Sequence, residues 1–96
     1  MSDSFIVPNF IPVQALIEQR RRVLELMHEV SDVVGSHLAI TLNEIEEEIV
    51  VTPAASIEEI EEKEQFFVDA TAEFERPRLV ELFKICIHAD RRRLCA

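Results

Sequence analysis

Glycine is nearly missing from this chain: Gly35 is the only one among 96 residues. Tight β-hairpins need residues that tolerate positive φ, so a hairpin-rich β fold has almost nothing to turn on. Tryptophan and tyrosine are absent, which removes two of the side chains that stack on unpaired bases. Two cysteines, Cys86 and Cys95, are too few for the disulfide framework of a small secreted domain. Long apolar runs are missing as well. The stretch from Phe5 to Val13 is broken by Pro8, Asn9 and Pro12, so neither a signal peptide nor a membrane span is expected. These absences predict a reduced, cytoplasmic protein that does not contact a membrane.

What is present supports a core. Apolar residues make up 48% of the chain, too many for a disordered segment despite the high charge, and the length suits one domain. Val13, Leu16, Ile17, Leu24, Met27, Val30 and Val34 recur at helical spacing, with Gln14, Glu18, Arg21, Arg22, Glu25, Glu29 and Asp32 on the other side. The pattern predicts a helix over 12–34, with Pro12 as its first residue and Gly35 as its C-terminal cap. Leu38, Leu42, Ile45 and Ile49 step by four, three and four, as in a helix, while 38–42 alternates and Ile49-Val50-Val51-Thr52 is β-prone. A helix over 36–50 is preferred because no Gly or Asn-Gly turn joins two strands there; strand over 38–52 is the alternative. Ser56 followed by Glu59 is a capping box. It predicts a helix with Ile57, Ile60, Phe67, Thr71 and Phe74 on one stripe, ending before Pro77. Leu79, Leu82, Phe83 and Cys86 line a last helix, closed by Arg91, Arg92 and Arg93. The expected fold is all-α: a small antiparallel bundle of three to four helices over 12–96, preceded by an extended arm over 1–11. Phe5, Ile6, Phe10 and Ile11 of that arm are too apolar to stay in water, and are expected to form the interface of a homodimer.

Charge is distributed unevenly. Between 44 and 75 there are twelve acidic residues and one basic residue, Lys63, a net of −11, within a chain of net −9. Such a segment repels nucleic acid and anionic lipid and attracts a basic partner. Glu44, Glu47, Glu48, Glu58, Glu61 and Glu62 are its candidate partner-binding residues. Arg20-Arg21-Arg22 and Arg91-Arg92-Arg93 are the basic runs. Each is short and offset by nearby acid, so contacts with a partner helix or a second copy suit them better than direct nucleic-acid binding.

Sets that would carry chemistry are thin. Glu25 and His28 have the Glu-x-x-His spacing of di-iron bundles, but a full site needs a second pair and two more carboxylates. A metal-binding homo-oligomer around them is the alternative functional reading. Cys86, His88 and Cys95 cannot converge on one zinc ion from a helix, where Cys86 and His88 diverge and His88 and Cys95 lie about 10 Å apart. No nucleophile elbow or glycine-rich loop is present, and the many strung-out glutamates do not single out one acid and one base. The expectation is a protein with no catalytic residue, no metal and no cofactor.

The stretch Val13-Gln14-Ala15-Leu16-Ile17-Glu18-Gln19-Arg20, running on to Val23-Leu24, resembles the start of an uncharacterised family of phage- and plasmid-borne proteins. Ile87-His88-Ala89-Asp90-Arg91 resembles a later piece of the same N-terminal part. Arg21 and Arg22 stand where that family has Asp and a small residue, and its methyltransferase-like region has no counterpart in these 96 residues. The resemblance implies an origin on a mobile element and carries over no site residue. Together these readings point to a small, acidic, non-enzymatic interaction protein: a regulator or inhibitor that docks an acidic face on a basic protein surface, in competition with nucleic acid.

Overall fold

A computed structural model describes residues 11–95 as four helices: α1 (Val13–Met27), α2 (Asp32–Val51), α3 (Ile57–Ala70) and α4 (Pro77–Leu94). Among the described residues there is no strand, and no helix is long and apolar enough to cross a membrane. Phe5, Ile6 and Phe10 lie outside the described residues; Ile11 is exposed just before α1.

The stripe over 12–34 is helical, but it is two helices rather than one. α1 starts at Val13, with Pro12 as its extended N-cap, and ends at Met27. The N–H groups of His28 and Glu29 then donate to the carbonyls of Glu25 and Leu26, a tightened final turn. Extended Ser31 begins α2, and Asp32 sits in its first turn, where a carboxylate favours the N-terminal end of the dipole. A single long helix would leave its distal stripe without a partner. Breaking at 28–31 folds that stripe back, and α1–α2 is the most extensive helix pair in the molecule.

Gly35 therefore does not cap a helix. It lies inside the first turn of α2, donates its N–H to the Ser31 carbonyl at 2.8 Å and has no positive φ. A Cβ built there meets no atom within 4 Å. Gly35→Ala is thus expected to stabilise the fold by about 1 kcal/mol, because glycine in a helix interior costs backbone entropy and nothing here requires it. A thermal melt should rise by roughly 4–8 °C; an unchanged or lower midpoint contradicts the placement of Gly35 within a helix.

The strand alternative over 38–52 gives way to the helix. Leu42 and Ile45 are half-buried and Ile49 and Val50 fully buried, while Ile40, Glu44 and Val51 face water, as a period of 3.6 requires. The capping box at Ser56 forms: its hydroxyl accepts from the Glu59 N–H at 3.2 Å, and the Glu59 carboxylate accepts from the Ala55 N–H at 2.7 Å. The reach-back lands one residue earlier than the simple motif implies. α3 ends at Ala70, well before Pro77, with the Thr71 hydroxyl donating to the Phe67 carbonyl at 2.7 Å. Ile57 and Phe74 consequently leave the expected stripe. Ile57 is exposed at the first turn, and Phe74, in the 71–76 connector, is 72% exposed. Phe66 takes the core position instead. Pro77 opens α4 at its first position, where its missing N–H costs nothing.

Val13, Leu16, Ile49, Val50, Phe66 and Leu79 form the buried core, with Ile17, Ile45, Phe67, Leu82, Phe83 and Cys86 packed around it. The rings of Phe67 and Phe83 stack across α3 and α4 with centroids 4.0 Å apart. Helices α2 and α3 each touch all the others, whereas α1 and α4 flank the bundle without touching each other. That layout decides where the acidic residues go.

Candidate functional site

The six candidate glutamates fall on two helices that present them to different sides. Glu44, Glu47 and Glu48 of α2 line a groove of about 490 Å³ shared with α4, together with Val51, Arg78 and Leu82. Glu47 accepts from Arg78 Nε at 3.1 Å. Glu44 and Glu48 are exposed and have no ion-pair partner among the described residues. Val51 is half-exposed, and Ile85, one turn beyond Leu82 on α4, is 67% exposed. The groove thus combines carboxylates on its α2 wall with an apolar floor and flank.

Glu58, Glu61 and Glu62 belong to the outer side of α3. Glu58 and Glu61 are exposed; Glu62 leans toward α1 and accepts from Gln14 Nε2 at 3.1 Å. Glu47 faces α4 and Glu62 faces α1, the two helices that do not touch. The structure brings each trio together and keeps the trios apart.

Of the other six acidic residues of this segment, Glu46, Glu59 and Glu64 are used within the chain, while Asp69, Glu73 and Glu75 are exposed without an ion pair among the described residues. Glu59 serves the α3 cap, and Glu64 pairs with Arg91. Buried Glu46 is held from two directions, by Arg20 Nε at 2.8 Å and by Arg76. Arg76 also donates to Asn43 Oδ1 at 2.8 Å, and the Arg20 guanidinium lies 5.0 Å over the Phe66 ring. Arg20 is therefore mostly buried against Glu46 and Phe66, unlike exposed Arg21 and Arg22. Arg21 bridges Glu18 and Glu25, and hydrogen bonding from Arg21 holds the Glu18 carboxyl below the usual carboxylate range. That basic run offers nucleic acid little free charge.

Sequence reasoning missed a second buried network. Lys63 and Asp90 are 1% and 3% exposed. Lys63 Nζ donates to Asp90 Oδ2 at 2.7 Å and to the Val50 carbonyl at 3.1 Å. Asp90 Oδ1 accepts from the Ala54 N–H and from Arg93, both at 3.2 Å, and Arg93 also reaches the Ala54 carbonyl. The α2–α3 connector, α3 and α4 are thereby fastened at one point. The signal was available in the spacing. Lys63 sits midway between Ile60 and Phe66, and Asp90 follows Cys86 by four, so opposite charges occupy two apolar stripes.

Glu25 is exposed and paired with Arg21, and His28 is an exposed residue of the α1–α2 turn. Cys86 packs on the core, while His88 and Cys95 border a shallow surface concavity with Arg91 and Arg92. Among the described residues no three His, Cys, Asp or Glu side chains converge as a metal would need.

Comparison with family models, with curated proteins and with solved structures finds no match. The site must be read from its own chemistry.

Proposed function

We propose that this chain is a small non-enzymatic interaction protein whose α2–α4 groove docks a basic, amphipathic helical segment of a partner protein. The observation that carries this reading is the pairing of unneutralised carboxylates, Glu44 and Glu48, with the apolar groups of Val51 and Leu82 in one groove, Ile85 being exposed one turn further along α4. A helix with Lys or Arg on one side and Leu or Ile on the other meets both parts: charge steers the encounter, and burial of apolar area holds the complex. The exposed α3 glutamates extend the negative field but offer no concave floor. They act at long range, over a Debye length of about 8 Å at physiological salt. A basic surface that otherwise holds nucleic acid fits such a partner, which makes the protein an anionic competitor and suits the mobile-element origin implied by the resemblance noted above.

A synthetic amphipathic Lys/Leu helix is a sufficient probe. Wild-type protein should bind it, and Glu44→Gln, Glu47→Gln and Glu48→Gln together should slow association about tenfold at low salt while the fold survives. The corresponding Gln triple at Glu58, Glu61 and Glu62 should have a smaller effect. Surface plasmon resonance at two salt concentrations reads both. Equal effects of the two triples, or none from either, contradict docking in the α2–α4 groove.

Self-association belongs to the same reading, through Ile11 and the apolar residues Phe5, Ile6 and Phe10. Light scattering on a size-exclusion column should report about twice the chain mass of 11.1 kDa, and deletion of residues 1–11 should halve it. A monomer before and after deletion removes the homodimer from the account.

A further inference from the structure

A concavity of about 590 Å³ opens between the 71–76 connector and the start of α4. Its floor is apolar, made by Phe74, Pro77 and Val80 with Ala72 beside them. That volume falls in the range of small-molecule sites, where an apolar lining carries a few polar groups. None of its residues belongs to the acidic groove between α2 and α4.

The charge around this floor is predominantly of one sign. Glu73, Glu75 and Glu81 line it, all exposed and without an ion pair among the described residues. Arg76, the cation of the lining, is committed to Glu46 and Asn43. Lys84, a turn further along α4, lies outside it. The neighbouring concavity between α1 and α2, which shares Phe74, sets Glu46, Asp69 and Glu73 against Arg20 and Arg76. Carboxylates thus outnumber cations on both sides of Phe74, and the local field favours a positive ligand. The last carbonyls of α3 and the first N–H groups of α4 flank the connector with partial charges of opposite sign, which offset each other.

Phe74 adds an independent observation. Its ring is 72% exposed although it stands in the wall of a concavity. A ring left in water gains when apolar area covers it, and its face attracts a cation. A neutral ligand realises the first gain and an apolar cation realises both.

We infer that this concavity binds a small organic cation, a protonated amine on a hydrocarbon or aromatic body. The ammonium group lies among Glu73, Glu75 and Glu81, and the body covers Phe74, Pro77 and Val80. The site is separate from the α2–α4 groove and does not depend on what docks there.

Three probes of one shape test it on the full nitrogen-15-labelled chain: 4-phenylbutylamine, 4-phenylbutanol and 4-phenylbutyrate, which are cationic, neutral and anionic at pH 7. The amine should bind saturably, with its largest amide shifts within residues 71–81. The alcohol should bind there about tenfold more weakly, the ratio given by a few exposed charge pairs, and the butyrate should not bind. Glu73→Gln, Glu75→Gln and Glu81→Gln together should bring the amine down to the affinity of the alcohol. Phe74→Ala should weaken amine and alcohol alike, about fivefold. The Gln triple at Glu44, Glu47 and Glu48 should leave amine binding unchanged, which separates this site from the docking groove. All substituted positions but Glu47 are exposed, and circular dichroism checks that each variant stays folded. Equal affinity for amine and alcohol, amine binding that survives the 73, 75, 81 triple, or shifts concentrated on residues 44–51 would overturn the site.

Discussion

Asp90→Ala is expected to cost about 3–5 kcal/mol of unfolding free energy, the usual penalty for stranding one partner of a buried ion pair. Lys63 is all but inaccessible, and once Asp90 is gone only the Val50 carbonyl remains near its ammonium group. The Ala54 N–H loses its acceptor at the same time, adding a second unsatisfied buried group. Domains of this size have total stabilities of about 5–15 kcal/mol, so a large share of the margin disappears. Urea unfolding followed by far-ultraviolet circular dichroism measures the loss. The double change Lys63→Met with Asp90→Leu should recover more than half of it, because both charges leave the interior together. A loss below about 1 kcal/mol for Asp90→Ala contradicts the buried pair, since that is the range of exposed ion pairs.

Glu46→Ala should cost about 2–3 kcal/mol, less than the Asp90 change although Glu46 has two cationic partners. The difference lies in what is left behind. The Arg20 and Arg76 side chains are 15% and 20% exposed, so water can reach them when the carboxylate goes, whereas it cannot reach Lys63 at 1%. Arg20 also retains the face of Phe66. Glu46→Gln should fall between, because an amide oxygen still accepts one of the two arginines. Denaturant midpoints of the three proteins give the order wild type, Gln, Ala. A Gln variant less stable than the Ala variant contradicts the shared-carboxylate arrangement.

Helical class and most of the core were legible from periodicity, as Leu16, Ile49, Leu79, Leu82, Phe83 and Cys86 show. The α1–α2 break was not legible, because Val30 and Val34 continue the stripe in phase. Only Ser31-Asp32, an ordinary cap pair, marks the turn, and the single glycine three residues later is the stronger textual signal. Gly35 misled because glycine reads as a stop even where a helix merely tolerates it. In the sequence Lys63 counts only as one charge of the acidic segment and Asp90 only within the resemblance; their places on two apolar stripes were legible, but the pairing itself follows only once α3 and α4 are packed. The same holds for Arg20, whose neighbours Arg21 and Arg22 do face solvent. Net charge over 44–75 was correct as a sum, yet it could not separate Glu46 and Glu59, which are used internally, from Glu44 and Glu48, which are not. Nor could a linear reading see that the two glutamate trios flank different neighbours, a consequence of α1 and α4 lying on opposite sides of the bundle.

The central claim is the location and chemistry of the docking groove, and amide chemical-shift mapping tests it most directly. Nitrogen-15-labelled protein would be titrated with the amphipathic Lys/Leu helix at physiological salt. The account predicts that the largest shifts fall on residues 44–51 of α2 and 78–85 of α4, with small, salt-sensitive changes around Glu58 and Glu61 and none in the α1–α2 turn. Shifts concentrated on α3 or on the α1–α2 turn, or an unchanged spectrum at saturating peptide, would contradict it.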